Sequence, residues 1–299
     1  TSWRSDSAYG DTIPDGSFGG RLPVGSYLLV AKAEDAAPSA VSNLDVTADA
    51  TTEVGLVVPQ PGTLEFTILD DRGRALPSKI SLRPLGETYA PNPDIGDPFI
   101  GSDVSKVVYT ADGTTRLTVP PGRYQVFVTR GIEYSMWDSD AEGWVGGVAV
   151  SAGATTPIEA VLVREVDSTG FIAADLHVHA VPSHDSGVPL TVRALTMAAE
   201  GVEFFAATDH DAITDYRPAI EELGLDFWLQ STPGTETTTI EVGHFLGFPL
   251  AVDYDQERNG APDWTNRSPA GMVQDLQGKR AYDDLEPFVF VGHPRDGIL

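Results

Sequence analysis

Short apolar runs, broken every few positions by Gly, Pro and Asp, fill the first 166 residues. Residues 63–69, 115–119 and 124–129 are rich in β-branched and aromatic side chains, which predicts strands. Asp71-Arg72-Gly73, Asp112-Gly113 and Pro121-Gly122 mark turns between such runs. A repeat also runs through this half. Val24-Gly25-Ser26-Tyr27-Leu28 parallels Pro121-Gly122-Arg123-Tyr124-Gln125, and residues 46–52 parallel residues 150–156. Two copies of one strand–turn–strand unit predict two β-sandwich modules, over residues 1–58 and 59–168, the first lacking its early strands.

After Gly170 the pattern lengthens into strand–helix alternation. Residues 171–177 read as an apolar strand. Leu190, Ala194, Leu195 and Ala198 then follow at helical spacing and stop before Gly201. Residues 202–208 predict a second strand, and residues 216–223 a second helix with Pro218 early and Gly224 just past its end. Residues 225–229 and 240–248 predict further strands. Residues 249–286 are polar and irregular apart from a helix from Pro269 behind the N-cap Ser268. A last strand at 288–291 leads to His293. Strands alternating with helices predict a parallel sheet or barrel over 169–299.

A chain of 299 residues, 41% apolar and 21% charged, is an ordinary globular protein of two or three domains. No apolar stretch approaches the roughly 20 residues of a membrane span, and none has the layout of a signal peptide. The first residue is Thr1, not Met, which predicts a processed or trimmed start. The net charge of -25 is shared: residues 1–170 carry 12 basic and 23 acidic side chains, residues 171–299 carry 7 and 21. Such a surface repels phosphate backbones, so a nucleic-acid partner is not expected. Only four of the 19 basic residues are Lys, which fits a salty or extracellular setting. Without Cys, any metal must be held by imidazole and carboxylate.

All six histidines follow residue 170. His177 and His179 lie two apart on a predicted strand and so point to one side, as two ligands of one ion do. Such a pair in isolation is equally well two surface histidines. The other motifs tip the balance: His210 and His293 end apolar runs, and Glu236 follows residues 229–235. Polar groups at the C-terminal ends of parallel strands are where a (β/α) barrel builds its site. Gathered imidazoles and carboxylates repel and desolvate one another unless a cation neutralises them. Two or three divalent ions are therefore expected, and all-N/O ligands suit Zn, Mn or Fe. Ions about 3.5–4 Å apart activate a bridging water and clamp a phosphoryl or carbonyl oxygen, so no side-chain nucleophile is required.

Asp175-Leu176-His177-Val178-His179, Ser183-His184-Asp185-Ser186, Thr208-Asp209-His210-Asp211, Gly234-Thr235-Glu236-Thr237-Thr238 and Gly243-His244-Phe245 resemble, in content and order, the PHP (polymerase and histidinol phosphatase) superfamily. Its CehA/McbA-like metallohydrolases are the nearest likeness, over residues 171–299. The resemblance implies a distorted (β/α)7 barrel with a bi- or trinuclear site. In it His177 and His179 would bind one ion, which Glu236 would bridge to a second completed by His244 and His293. Asp185 and His210 would bind a third. Glu236, His210 and Arg295 are the candidate catalytic residues, Arg295 holding an anionic substrate group or else a surface salt bridge. His184 has no counterpart and reads as a solvated loop residue, while Asp175, Asp209 and Asp211 read as orienters of the ligands. One departure stands out. The family's further Asp-x-His motif is absent, and residues 171–299 are short for a barrel of roughly 200 or more. A fragment of a longer enzyme is the expectation. In the first half, Gly62-Thr63-Leu64, Asp70–Gly73, Leu76–Ile80 and Pro120–Tyr124 resemble carboxypeptidase-regulatory-like or transthyretin-like sandwiches.

The sequence thus predicts β-sandwich modules followed by a PHP-type barrel, in a bacterial protein that is secreted, periplasmic or on the cell surface. Its expected activity is hydrolysis of a phosphoester or a carbamate/carboxylic ester of a small molecule, and the sandwiches are candidates for self-association. The alternative is a non-catalytic surface or filament-forming protein carrying a PHP-fold remnant. An amidohydrolase barrel ranks last, because it wants a late bridging Lys and Lys279 has no strand before it.

Overall fold

Strict alternation makes residues 62–70 a strand with one dry face: Leu64, Phe66 and Ile68 are buried while the residues between them are not. In the computed structural model, which describes residues 16–33, 35–89, 104–240 and 242–293, the chain forms two compact units, Thr1–Pro59 and Gln60–Leu299. The first holds an antiparallel pair, β1 (Gly25–Leu29) and β2 (Ser42–Val46), with Gly25 opposite Val46 and Tyr27 opposite Leu44.

The second unit begins with β3 (Gly62–Asp70), β4 (Ser78–Leu85), β5 (Lys106–Thr110), β6 (Thr114–Val119), β7 (Gly122–Thr129), β8 (Trp137–Asp138), β9 (Val148–Val150) and β10 (Thr155–Leu162). They form two sheets, β10-β3-β6 and β5-β4-β7-β8, with β9 also on β7. Leu64, Phe66 and Ile158 of one sheet share a core with Ile80, Leu82 and Val126 of the other. The sequence repeat is also a repeat of pairing: β7 and β9 place Gly122 opposite Val150 and Tyr124 opposite Val148, the register of β1 and β2. In both copies the tyrosine hydroxyl donates to the carbonyl of the proline four residues back, Tyr27 to Pro23 and Tyr124 to Pro120, each at 2.8 Å.

The remaining elements are β11 (Ala174–Val178), α1 (Leu190–Ala199), β12 (Phe204–Ala207), α2 (Arg217–Glu222), β13 (Gln230–Pro233), β14 (Thr235–Thr238), β15 (His244–Phe248), α3 (Pro269–Gln277) and β16 (Phe288–His293). Pro218 sits in the first turn of α2, and Ser268 Oγ caps α3 by accepting from Gly271 N at 3.2 Å.

The expected (β/α)7 barrel is not what forms. Among the described residues β11-β12-β13 make a parallel sheet, but β14-β15-β16 are antiparallel, and no ladder joins β11 to β16. The cause is connection length. Five residues link Thr238 to His244, enough for a hairpin but far short of the dozen or so a parallel crossover needs. The strand expected at 225–229 is also displaced to β13. Leu225 and Leu229 are both buried at i,i+4 spacing in a helical turn, Leu229 N donating to Leu225 O at 3.0 Å. Isolated bridges from His210 to Glu236 and from Thr214 to Gly234 tie the two small sheets together. Gly234 permits the junction: a Cβ there would lie 2.6 Å from the Gly247 carbonyl oxygen and 2.8 Å from that of Ala207.

Within this unit the sandwich is pinned to the later elements. Arg130, buried at the end of β7, donates through Nη1 to Pro77 O at 2.9 Å and to Ala198 O near the end of α1. Its guanidinium stacks 4.5 Å from the ring of Trp228, which packs against both cores. Beside it, Lys79 Nζ meets Glu200 Oε1 at 2.6 Å. No helix among the described residues is long and apolar enough to cross a membrane.

Candidate metal centre

Six segments converge where the two small sheets meet. The exit of β11 carries His177 and His179, the loop after β12 carries His210, and β14 carries Glu236. β15 opens on His244, which lies opposite His293 at the end of β16. Asp185 comes from the β11–α1 loop. Together His177, His179, Asp185, His210, Glu236, His244 and His293 line one cavity of about 410 Å³. His184 is exposed and stacks on His210 with centroids 4.4 Å apart, outside that lining. Arg295 lies outside the described residues.

Glu236 is the centre of the arrangement. It is fully buried, and its two oxygens face different partners. His179 Nε2 and His177 Nε2 lie 2.9 and 3.0 Å from Oε2, whereas His244 Nδ1 and His293 Nε2 lie 2.8 and 3.5 Å from Oε1. Asp185 stands across the cavity, Oδ1 at 3.2 Å from His179 Nδ1 and Oδ2 at 3.3 Å from His210 Nε2. Three overlapping groups result: His177, His179 and Glu236; His179, Asp185 and His210; His210, Glu236 and His244. Each offers donor atoms within 4.8 Å of one another, so each can hold a metal ion.

The electrostatics follow from burial against contact. Burial alone would raise the Glu236 carboxyl, but hydrogen bonds from His179 and His177 and the charge of His210 bring it down to about 2. Asp185 likewise resists desolvation through Ser183 and His179 and stays well below the usual carboxylate range. Burial pulls the His179 imidazole down, yet Glu236 and Asp185 outweigh it and raise its pKa. At His210 burial wins and the pKa falls. Both acids are thus held as carboxylates, the form a cation needs.

The supporting contacts act mostly on backbone. Asp175 Oδ1 accepts from His177 N at 3.1 Å, Asp209 Oδ1 from Ala180 N at 2.7 Å, and Asp211 Oδ1 from Thr238 N at 3.0 Å. Asp211 does so from the left-handed region, at φ 53°. Four further supports have no individual role in the sequence reading. Ser183 Oγ accepts from His210 N at 3.0 Å and lies 3.1 Å from His179 Nδ1. Thr238 Oγ1 bonds His210 Nδ1, Thr208 Oγ1 accepts from Val178 N at 2.9 Å, and Arg193 Nε donates to His179 O at 2.9 Å. Ser183 and Thr208 stand inside the histidine motifs and Thr238 inside the Glu236 motif, so position beside a ligand was the signal for them. Arg193 sits on α1 with no such signal.

No protein-family model matches the chain, and no curated protein does. Among solved structures it is similar to a streptococcal ancillary pilin at 15% identity and TM-score 0.23, over 48% of this chain and 46% of that one. GBS52, the minor pilin of Streptococcus agalactiae, matches at 15% identity and TM-score 0.23, over 49% of this chain and 63% of its own. The Bacillus anthracis TIE protein matches at 12% identity and TM-score 0.23, over 54% of this chain and 27% of its own. The chain therefore spans less than two thirds of each, and similarity this low carries no argument about fold or function.

Proposed function

We propose that the chain is a metal-dependent hydrolase that uses metal-activated water on a phosphoester or a carbamate/carboxylic ester of a small molecule. The observation that carries the reading is the buried Glu236 carboxylate with imidazoles at each oxygen: His177 and His179 on one side, His244 and His293 on the other. A carboxylate so placed suits two ions, with Asp185 and His210 offering a third position. The all-N/O donor set fits Zn, Mn or Fe. Bound there, divalent ions supply Lewis acidity and lower the pKa of water at the site. The chain's own groups fix the geometry: Glu236 presents its negative charge between the four imidazoles, while Ser183 and Thr238 orient His179 and His210. The order of the histidine motifs supports placing the chemistry with the PHP proteins. The acidic, lysine-poor surface supports an extracellular or surface setting and a small rather than polyanionic substrate. The test is elemental analysis of the purified protein paired with a panel of aryl phosphoesters and aryl carbamates. Metal content with turnover, both lost in His177→Ala, is the expected result; turnover that survives metal removal refutes the reading.

A further inference from the structure

Residues directly opposite one another on neighbouring strands project from the same face of a sheet. In β14-β15-β16 the pairs Thr238–His244, Glu236–Leu246, Leu246–Phe290 and Phe248–Phe288 therefore define one face. It carries Glu236, Thr238 and His244, then Leu246 and Phe248, then Phe290 and Phe288. The opposite face is covered by α3: Phe245 shares a core with Met272 and Leu276, and Val289 packs against it. The apolar residues of the first face thus continue the surface that presents the metal ligands. Leu246 is buried and level with Glu236. Gly292, the extra residue where the register shifts, passes close by: a Cβ there would strike Leu246 Cδ1 and stand 3.8 Å from Glu236 Oε1. Further along, the Phe248 ring centroid lies 6.1 Å from that of Phe290, edge-on at 83°, and 6.2 Å from that of Phe288. Phe290 and Phe288 are 39% and 65% exposed, whereas the cavity beside them is lined by imidazole and carboxylate. Exposed, uncharged rings that extend one wall of a polar site have the chemistry to recognise the apolar part of a ligand.

We infer that Leu246, Phe248, Phe288 and Phe290 form a subsite for an apolar ring of the substrate, carried one or two bonds from the group that reacts at the metal ligands. The spacing fits. Phe290 stands two strands across from Glu236, roughly 10 Å between backbones, and Leu246 occupies the middle. Phe290 and Phe288 are then specificity-determining residues. They hold neither proton nor metal, and their contribution is contact area, which favours a ring-bearing ester or phosphoester over a compact one. The subsite rests on the metal-hydrolase reading.

Benzylphosphonate and methylphosphonate separate the two contributions. Both offer divalent ions the same tetrahedral anion, and only the first carries a ring. Calorimetric titration of the Zn²⁺-loaded full chain is expected to find benzylphosphonate bound about tenfold more tightly. Phe290→Ala should bring that ratio towards one, and Phe288→Ala should lower it by a smaller factor, with methylphosphonate as the reference in each variant. Both changes truncate exposed rings, so the fold is expected to hold, and the melting temperature checks it. Equal binding of the two phosphonates by wild type, or an undiminished ratio in both variants, overturns the subsite and leaves the metal reading intact. Wild type that binds neither is a different failure: it removes the metal reading and the subsite with it. A wild-type dimer in sedimentation that Phe290→Ala dissociates assigns the face to a second copy of the chain and also overturns the subsite.

Discussion

Replacing Arg130 by Ala tests how far the sandwich supports the elements that carry the candidate centre. Arg130 is 2% exposed, and its Nη1 donates to two backbone carbonyls, those of Pro77 and Ala198. Burial pushes its guanidinium pKa down, the mark of a cation held at a desolvation cost. Against that cost stand two bonds from a charged donor, worth about 1.5–3 kcal/mol each, and a stack on Trp228 worth about 1 kcal/mol. The Ala198 carbonyl lies near the C-terminus of α1, where the helix dipole favours a cation. Truncation removes the donor to the Pro77 carbonyl, leaves the Ala198 carbonyl with Gly201 N alone and opens space beside Trp228, so we expect a net loss of about 3 kcal/mol. At about 2–4 °C per kcal/mol for a unit of this size, the melting temperature falls by about 6–12 °C. Differential scanning calorimetry of the full chain reads it, and Arg130→Met, which keeps the stem on Trp228, recovers only part of the loss. A fall of under 2 °C would refute the reasoning, because the cation's desolvation would then cancel its bonds.

Other outcomes follow from single contacts. Asp70 accepts from Arg72 N, Arg74 N and Arg74 Nε at 2.7–2.9 Å, and these bonds overcome burial to lower its pKa below 3.8. A depressed folded pKa gives stability that is present above 3.8 and lost as pH falls through the folded value, so Asp70→Asn destabilises at pH 7 by about 1–3 kcal/mol and flattens the melting-temperature slope in acid. Gly234→Ala drives a Cβ into two carbonyl oxygens at the sheet junction, which should cost several kcal/mol and is checked by urea unfolding. Zn²⁺ affinity should fall as the solution is made acidic, because protons compete for the imidazoles. Calorimetric titration at several pH values tests this, and a flat profile would exclude His ligation.

The sandwich strands were legible because Leu64, Phe66 and Ile68 alternate with polar residues, a pattern that commits a strand to one buried face. The helices were legible from their ends, as with Ser268 before α3 and Gly224 after α2. The residues meeting at the cavity were legible because two-residue spacing and strand ends constrain where side chains point. The barrel was not. Family likeness suggested it, while the five-residue link from Thr238 to His244 carried the contrary information about strand direction. The turn at Leu225 and Leu229 was misread as a strand, since a short apolar run does not reveal its period. Arg193 and Arg130 were invisible for another reason: each bonds a carbonyl of a different segment, and only tertiary approach creates that partner.

Equilibrium dialysis of the full chain against Zn²⁺ and Mn²⁺, followed by elemental analysis, judges the central claim most directly. Wild type is expected to retain at least two divalent ions per chain, and Glu236→Ala, which removes the carboxylate shared by both histidine pairs, to retain fewer, with at most the His179, Asp185 and His210 position left. Wild type that stays metal-free at saturation, or Glu236→Ala that binds as wild type does, contradicts it.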